Sequence, residues 1–326
     1  MKIRVPEYYT EFCCIADKCR DSCCIGWEID IDDATMAKYK GISGDLGCEI
    51  AEKTSHGYFP LCENGRCTFL DGQGLCRIIS ALGDGYLCDI CREHPRYYGV
   101  GNGIIEGGLG LGCEEAARMI LSLKSQPRLV ETEHEVHYSD EDEFADVSEC
   151  IRERLYPAIF AQEPKMLAKT FVEYARVCDD VAFMASTSEK AVDIPEVECG
   201  HVEPDMLCEL YESMLSLVSE CESLTDEWEG LVARARVYDP TDALARLGDM
   251  RGILYYFNHR YVREGVEDMS LGQRVLFALG SALTVATLSD IIAGDDPAIL
   301  AAVEYSKNVE YSEDNVAYIL ENTEIL

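Results

Sequence analysis

The chain has 326 residues, 48% of them apolar, and sets 61 acidic side chains against 28 basic ones for a net charge of −33. That is ample material for a core without disulfide staples, and the acidity argues against a surface made for nucleic acid or an anionic membrane. Residues 1–123 carry a balance of −7 and the remainder −26, a bias that attracts a lysine-rich protein or serves solubility alone.

The opening Met1-Lys2-Ile3-Arg4-Val5-Pro6-Glu7-Tyr8-Tyr9 holds no apolar stretch and no small-residue cleavage site, so a cytoplasmic protein is expected. Cys13, Cys14, Cys19, Cys23 and Cys24 follow at close spacing. Trp27 to Ile31 alternates apolar and acidic residues as a half-buried strand does. Asp32 or Asp33 then caps a helix running to Tyr39 and ended by Gly41. Cys67 to Leu70, the turn Asp71-Gly72-Gln73-Gly74, and Leu75 to Ile79 read as a hairpin or as a turn entering a helix. Either brings Cys67 and Cys76 together.

Cys88-Asp89-Ile90-Cys91 has the gap of a metal knuckle. A glycine-laden stretch runs from Gly99 to Gly112, and Cys113 precedes a helix opening at Glu114. The charged segment that follows reads as a linker over residues 124–143. From Phe144 the period is helical, with candidate helices over 144–160, 166–186, 204–222, 225–236, 241–264, 269–292, 296–306 and 312–321. The longest uncharged apolar run, Val275 to Leu288, is shorter than the roughly 20 residues of a membrane span and reads as a buried helix. The expected fold is mainly α: an irregular cysteine-rich metal-binding domain with short strands over 1–123, the linker, and an all-helical domain over 144–326.

Of 17 cysteines, twelve lie within the first 113 residues. Thiols this dense hold a metal or cluster, or pair as disulfides; an odd total and a cytosolic setting favour the metal. Cys19 and Cys23 lie one helical turn apart with Cys24 next round, and distant Cys67, Cys76, Cys88 and Cys91 must converge on them. Zinc and a [4Fe-4S] cluster are the two soft-ligand options, and irregular spacing suits the cluster at least as well. His94 is a ligand, an acid-base group or an ordinary core histidine. The glycines before Cys113 admit a nucleotide-like ligand close to the backbone or serve packing, without matching the dinucleotide fingerprint. Tyr8, Tyr9, Tyr97 and Tyr98 line a cage for an ammonium or pack structurally.

Through Val5-Pro6-Glu7-Tyr8-Tyr9, Phe12-Cys13-Cys14, Cys19-Arg20-Asp21-Ser22-Cys23-Cys24-Ile25-Gly26-Trp27, Cys67-Thr68-Phe69-Leu70 with Cys76, Cys91-Arg92-Glu93-His94-Pro95-Arg96 and Gly110-Leu111-Gly112-Cys113-Glu114, the chain resembles the flagellin lysine N-methylase family, FliB. The paired-cysteine core is also similar to that of YkgJ-like zinc- or iron-chelating proteins. The first resemblance implies methyl transfer from S-adenosylmethionine to lysines of flagellin and an iron-sulfur cluster on the N-terminal cysteines. It carries over to Cys14, Cys19, Cys23, Cys24, Cys67, Cys76, Cys91 and Cys113. Cys19, Cys23, Cys67 and Cys91 are the foremost ligand candidates, with Cys24 and Cys76 nearly equal. Tyr97, Tyr98 and Glu114 are candidates for the pocket that deprotonates lysine, and Gly108, Gly110 and Gly112 for cofactor binding. The other readings are a non-enzymatic iron- or zinc-binding redox or metal-handling module, and a structural zinc domain presenting the helices to a partner.

Overall fold

The computed structural model describes residues 2–20, 22–101, 104–133, 145–187, 194–197, 202–223, 226–263 and 270–325. Asp21 of the cysteine motif, Asn102 and Gly103 of the glycine run, residues 134–143 of the expected linker, Phe144 and Cys199 lie outside the described residues.

The N-terminal part opens on β1 (Lys2–Pro6), whose Ile3 and Val5 are buried. Next come β2 (Ile29–Asp30), α1 (Asp33–Tyr39), α2 (Asp45–Lys53), β3 (Tyr58–Phe59), α3 (Arg77–Leu82) and α4 (Asp89–Glu93). The cap of α1 is Asp32, which accepts the Thr35 N–H at 2.8 Å. Between Cys67 and Ile79 the chain turns into a helix, with a lone bridge between Leu70 and Cys76 in place of a full hairpin.

The glycine-laden stretch is a hairpin of β4 (Arg96–Gly101) and β5 (Ile104–Leu109). Glycine replaces the usual β-branched residues because side chains lie across the strands: a Cβ at Gly99 would sit 2.0 Å from Arg263 Nη2, and one at Gly107 2.8 Å from the Tyr98 ring. After α5 (Glu114–Leu121), β6 (Leu129–Glu133) completes a mixed sheet of order β4-β5-β1-β6, with β1 parallel to β5 and antiparallel to β6. Thus part of the expected linker is an edge strand whose charged outward side chains hid its pairing.

The helical part comprises α6 (Ala145–Ala161), α7 (Pro164–Thr187), α8 (Pro204–Glu220), α9 (Asp226–Ala235), α10 (Pro240–Arg246), α11 (Arg251–Tyr261), α12 (Leu271–Ile291), α13 (Pro297–Tyr305) and α14 (Glu313–Asn322). The periodicity over 241–264 covers two of these, α10 and α11, parted by a tight turn at Leu247–Met250. Among the described residues α12 alone is long and apolar enough to cross a membrane, yet it is buried, packed on α7, α11 and α13. Burying each of its leucines, valines and Phe277 stabilises the fold by about 1.5–3 kcal/mol against exposure.

Apolar contact does not part at residue 123. Ile3, Val5, Ile105, Leu109 and α5 share one core with the helices, while Ile29, Tyr39, Ile50, Phe59, Phe69, Ile78 and Cys88 form a second, smaller one. Cys67, Cys76 and Cys91 pack against the smaller core, which is too small to be held by apolar burial alone.

Candidate metal centre and polar cavity

Backbone contacts assemble the cysteines. The Arg20 N–H donates to Glu114 Oε2 at 2.7 Å and its Nε to Oε1 at 3.0 Å, tying the loop of Cys19, Cys23 and Cys24 to the start of α5. Trp27 Nε1 donates to the Cys23 carbonyl at 2.8 Å, and the Cys67 N–H to the Cys24 carbonyl at 2.8 Å. Cys76, Cys88 and Cys113 each stand immediately before a helix, α3, α4 and α5. Exposed amides there favour a thiolate, although none of the three closes a full capping hydrogen bond.

The sulfurs act on one another electrostatically. The Cys23 thiol donates to Cys24, which brings Cys24 down to about 7 against its burial and pushes Cys23 up. Cys91 donates likewise to Cys88, lowering Cys88 and raising Cys91. Burial lifts Cys67 to about 11, with Cys24 and Cys76 adding to it, and burial also raises Cys76, near Cys24 and Cys88. Cys24 is the common neighbour, acting on Cys23, Cys67, Cys76 and Cys91. Cys14 and Cys113 also act on Cys23. Cys19 instead lines a surface cleft with Ser22, Arg66 and Gly74.

Five of the six foremost candidates, Cys23, Cys24, Cys67, Cys76 and Cys91, therefore share one neighbourhood with Cys88. Thiols that raise one another's pKa hold protons until a cation reverses the balance. The donor set fits a soft metal or a cluster in kind and number, although among the described residues no three Cys, His, Asp or Glu side chains are drawn together at ligand spacing. His94 is half-buried and held neutral, its pKa lowered to about 4 by burial and then by Lys307 and Arg96.

A cavity of about 710 Å³ opens between β4, α11, α12 and α14, lined in part by Tyr97, Tyr98, Arg260, Gln273 and Glu310. Glu310 closes a π-helical turn, Ser306–Glu310, a distortion frequent at functional sites. Its Oε1 accepts from Tyr256 at 2.6 Å, Tyr261 at 2.8 Å and Arg260 at 3.1 Å, while its Oε2 is buried without a partner. Gln273 Oε1 and the Tyr97 hydroxyl are also buried and unpartnered. The Arg260 guanidinium lies over Tyr97, 4.6 Å from the ring centre. The Tyr98 hydroxyl is 2.7 Å from that of Tyr9 and donates to Glu93 Oε2 at 3.0 Å.

Tyr311 links the two regions. Its ring packs 5.6 Å from Trp27, and burial, Cys23, Glu310 and Cys113 all raise its pKa. The glycines considered for cofactor binding are packed against the chain itself. A Cβ at Gly108 would lie 2.4 Å from the Tyr97 hydroxyl, at Gly110 3.2 Å from the Pro95 carbonyl and at Gly112 2.2 Å from the Tyr311 hydroxyl. Glu114 is engaged by Arg20 and Arg118 and does not line the cavity. Sequence reasoning passed over Arg260, Gln273 and Glu310; the one signal they left was charge and amide inside otherwise apolar helical periods.

The chain is 32% identical over 127 residues to lysine-N-methylases of Salmonella typhimurium and Salmonella choleraesuis, a match covering 36% of this chain and 32% of each of theirs. It is also 32% identical over 127 residues to the flagellar biosynthetic protein FliU of Salmonella muenchen, covering 75% of that protein. The match thus spans about a third of the length of the lysine-N-methylases. No family model matches the chain, and no solved structure matches it.

Proposed function

The chain belongs to the family of the flagellar biosynthetic protein FliU, and from there we propose that it is an S-adenosylmethionine-dependent protein-lysine N-methyltransferase of the cytoplasm. It acts on flagellin and carries an iron-sulfur cluster in its cysteine-rich part, residues 1–123, which the helices of 144–326 support. The observation that carries this reading is the 32% identity over 127 residues to two lysine-N-methylases. The net charge of −33 supports a lysine-bearing partner.

When bound, S-adenosylmethionine supplies a sulfonium methyl group open to in-line displacement by an amine. Free lysine has a pKa of about 10.4, so the protein must take a proton from it. Tyr98 lines the cavity and donates to Glu93. Burial, then the bond to Tyr9, pushes Tyr98 far above its ordinary pKa, so it relays rather than stores the proton, with Glu93 as the acceptor. Cys24, Cys67, Cys76 and Cys91 would hold the cluster, with Cys23 and Cys88 beside them. Bound there, it would tie the loops of the smaller core into one piece.

The test is mass spectrometry of flagellin incubated with the anaerobically reconstituted protein and S-adenosylmethionine. Steps of ~14 Da on lysines support the reading; flagellin that binds the protein yet gains no mass overturns it. The coupled thiols also favour a second reading, a non-enzymatic iron- or zinc-binding module, which gains if the protein binds metal but not S-adenosylmethionine.

A further inference from the structure

We propose that α13 and the π-helical turn Ser306–Glu310 form a strap through which metal on the cysteines sets the shape of the cavity between β4, α11, α12 and α14. This goes beyond the methyltransferase reading and holds equally for a non-enzymatic metal module.

The cysteine loop grips the strap at both ends. At its start Arg20, next to Cys19, donates Nη1 to the Asp295 carbonyl at 2.6 Å. Asp296 stands immediately before α13 in the left-handed region, with φ +56°, yet its side chain caps no α13 amide. It pairs instead with Arg20 and Arg118, each 3.7 Å away. A non-glycine residue in that conformation is strained and persists only where its surroundings fix it. At the far end Tyr311 packs its ring 5.6 Å from Trp27, whose Nε1 donates to the Cys23 carbonyl at 2.8 Å.

Between these grips the strap reaches the cavity. Glu310, itself buried, accepts from Tyr256, Tyr261 and Arg260, and Tyr261 and Arg260 line the cavity. A shift of the turn therefore moves two lining residues. A π-turn holds one residue more than an α-turn, so the segment has a second register within reach. In the present one Ser306 Oγ and Glu310 Oε2, at the two ends of the turn, are buried without a hydrogen-bond partner, which native structures rarely tolerate. Among the described residues no three Cys, His, Asp or Glu side chains stand at ligand spacing, so a metal must draw the thiols together. The loop that carries Cys23 and Cys24 moves with them and pulls on Arg20 and Trp27, biasing the turn toward one register.

The experiment is hydrogen exchange, read by mass spectrometry, on the full anaerobic chain stripped of metal and again after reconstitution with zinc or with iron and sulfide. A double variant, Asp296→Gly with Tyr311→Ala, is run beside it; glycine keeps the left-handed backbone at 296 without the carboxylate. Loading is expected to slow exchange across 306–311 and 256–263 by about tenfold or more, to leave α8 and α9 unchanged, and to have no such effect in the variant at equal metal content. If the double variant does not fold, Tyr311→Ala alone decides, since that side chain is 41% exposed. Exchange that ignores metal, that slows everywhere alike, or that slows in the variant as in the parent overturns the proposal. So does a chain that takes up no metal.

Discussion

Glu114 accepts both the backbone N–H and the guanidinium of Arg20, at 2.7 and 3.0 Å, and so anchors the cysteine loop to the first turn of α5. Burial works to raise its pKa, but the Arg20 amide and guanidinium outweigh it and hold it below the ordinary value. Its stabilising effect is therefore present above the unfolded pKa and is lost as pH falls through the folded one. Glu114→Ala should cost about 1–3 kcal/mol, read as a lower urea midpoint, and should release metal from the loop. A variant with unchanged stability and metal content would show that the anchor is dispensable.

Among the thiols, Cys24 acts electrostatically on Cys23, Cys67, Cys76 and Cys91, while Cys19 lines a surface cleft. Cys24→Ser should accordingly lose most bound iron or zinc, while Cys19→Ser should keep most of it, the reverse of the order that helical spacing alone suggests. Metal and sulfide analysis of the two proteins, purified side by side without air, checks this. Equal loss from both would mean that Cys19 swings in when metal binds.

A buried network at the sheet-helix junction sets the acid stability. Glu106 is ion-paired with Arg4 and with Arg152, the latter at 2.8 Å. Burial opposes its charge, but Arg152, His259 and Arg4 bring its pKa down to about 2 from an ordinary 4.5. His259 takes a hydrogen bond with Tyr156 at 2.9 Å, and burial lowers its pKa to about 4 from 6.5. Both folded values are depressed, so the unfolded chain binds the extra proton and stability falls as pH falls. His259 contributes a loss between pH 6.5 and 4, and Glu106 between 4.5 and 2, each roughly 3 kcal/mol in full. His259→Gln should flatten the upper limb of a stability-against-pH curve and, because His259 also helps hold Glu106 down, shorten the lower one. A curve flat from neutrality to about pH 4 in the parent chain would contradict the assignment.

The helices were legible because their apolar residues keep one period. Pro164, Pro204, Pro240 and Pro297 each open one of them, as proline at a first helical position does. The Asp32 cap was equally readable, since the signal is local. What escaped was set by distant contact. Glycines at 99, 107 and 108 look like loop until Arg263, Tyr98 and Tyr97 are seen lying on them. The charged strand at Leu129–Glu133 looks like linker until β1 is beside it. That Cys24 acts on Cys67, Cys76 and Cys91 could be expected from the number of cysteines, but the tie of the Cys19 loop to α5 through Arg20 and Glu114 could not, because it is made across 94 residues. Glu310 and Gln273 come to line one cavity only after α11, α12 and the π-turn have packed.

The same close contacts give a graded test of packing. A Cβ at Gly252 would lie 1.8 Å from the Ile120 carbonyl oxygen and 2.8 Å from its carbon. Both atoms are backbone, so relief requires α11 to move away from α5. Gly252→Ala should cost about 3 kcal/mol or more, despite the better helix propensity of alanine. At Gly112 the obstacle is the Tyr311 side chain, 2.2 Å from a Cβ; Tyr311 is 41% exposed and can swing outward. Gly112→Ala should therefore cost only about 1 kcal/mol, while quenching changes at Trp27 report the loss of its ring contact with Tyr311. Gly85 faces open space and serves as the control, with Gly85→Ala expected within about 0.5 kcal/mol of the parent. Thermal unfolding of the three variants ranks them, and a Gly112→Ala loss equal to that of Gly252→Ala would mean that Tyr311 is locked in place by the thiols and Glu310 on either side of it.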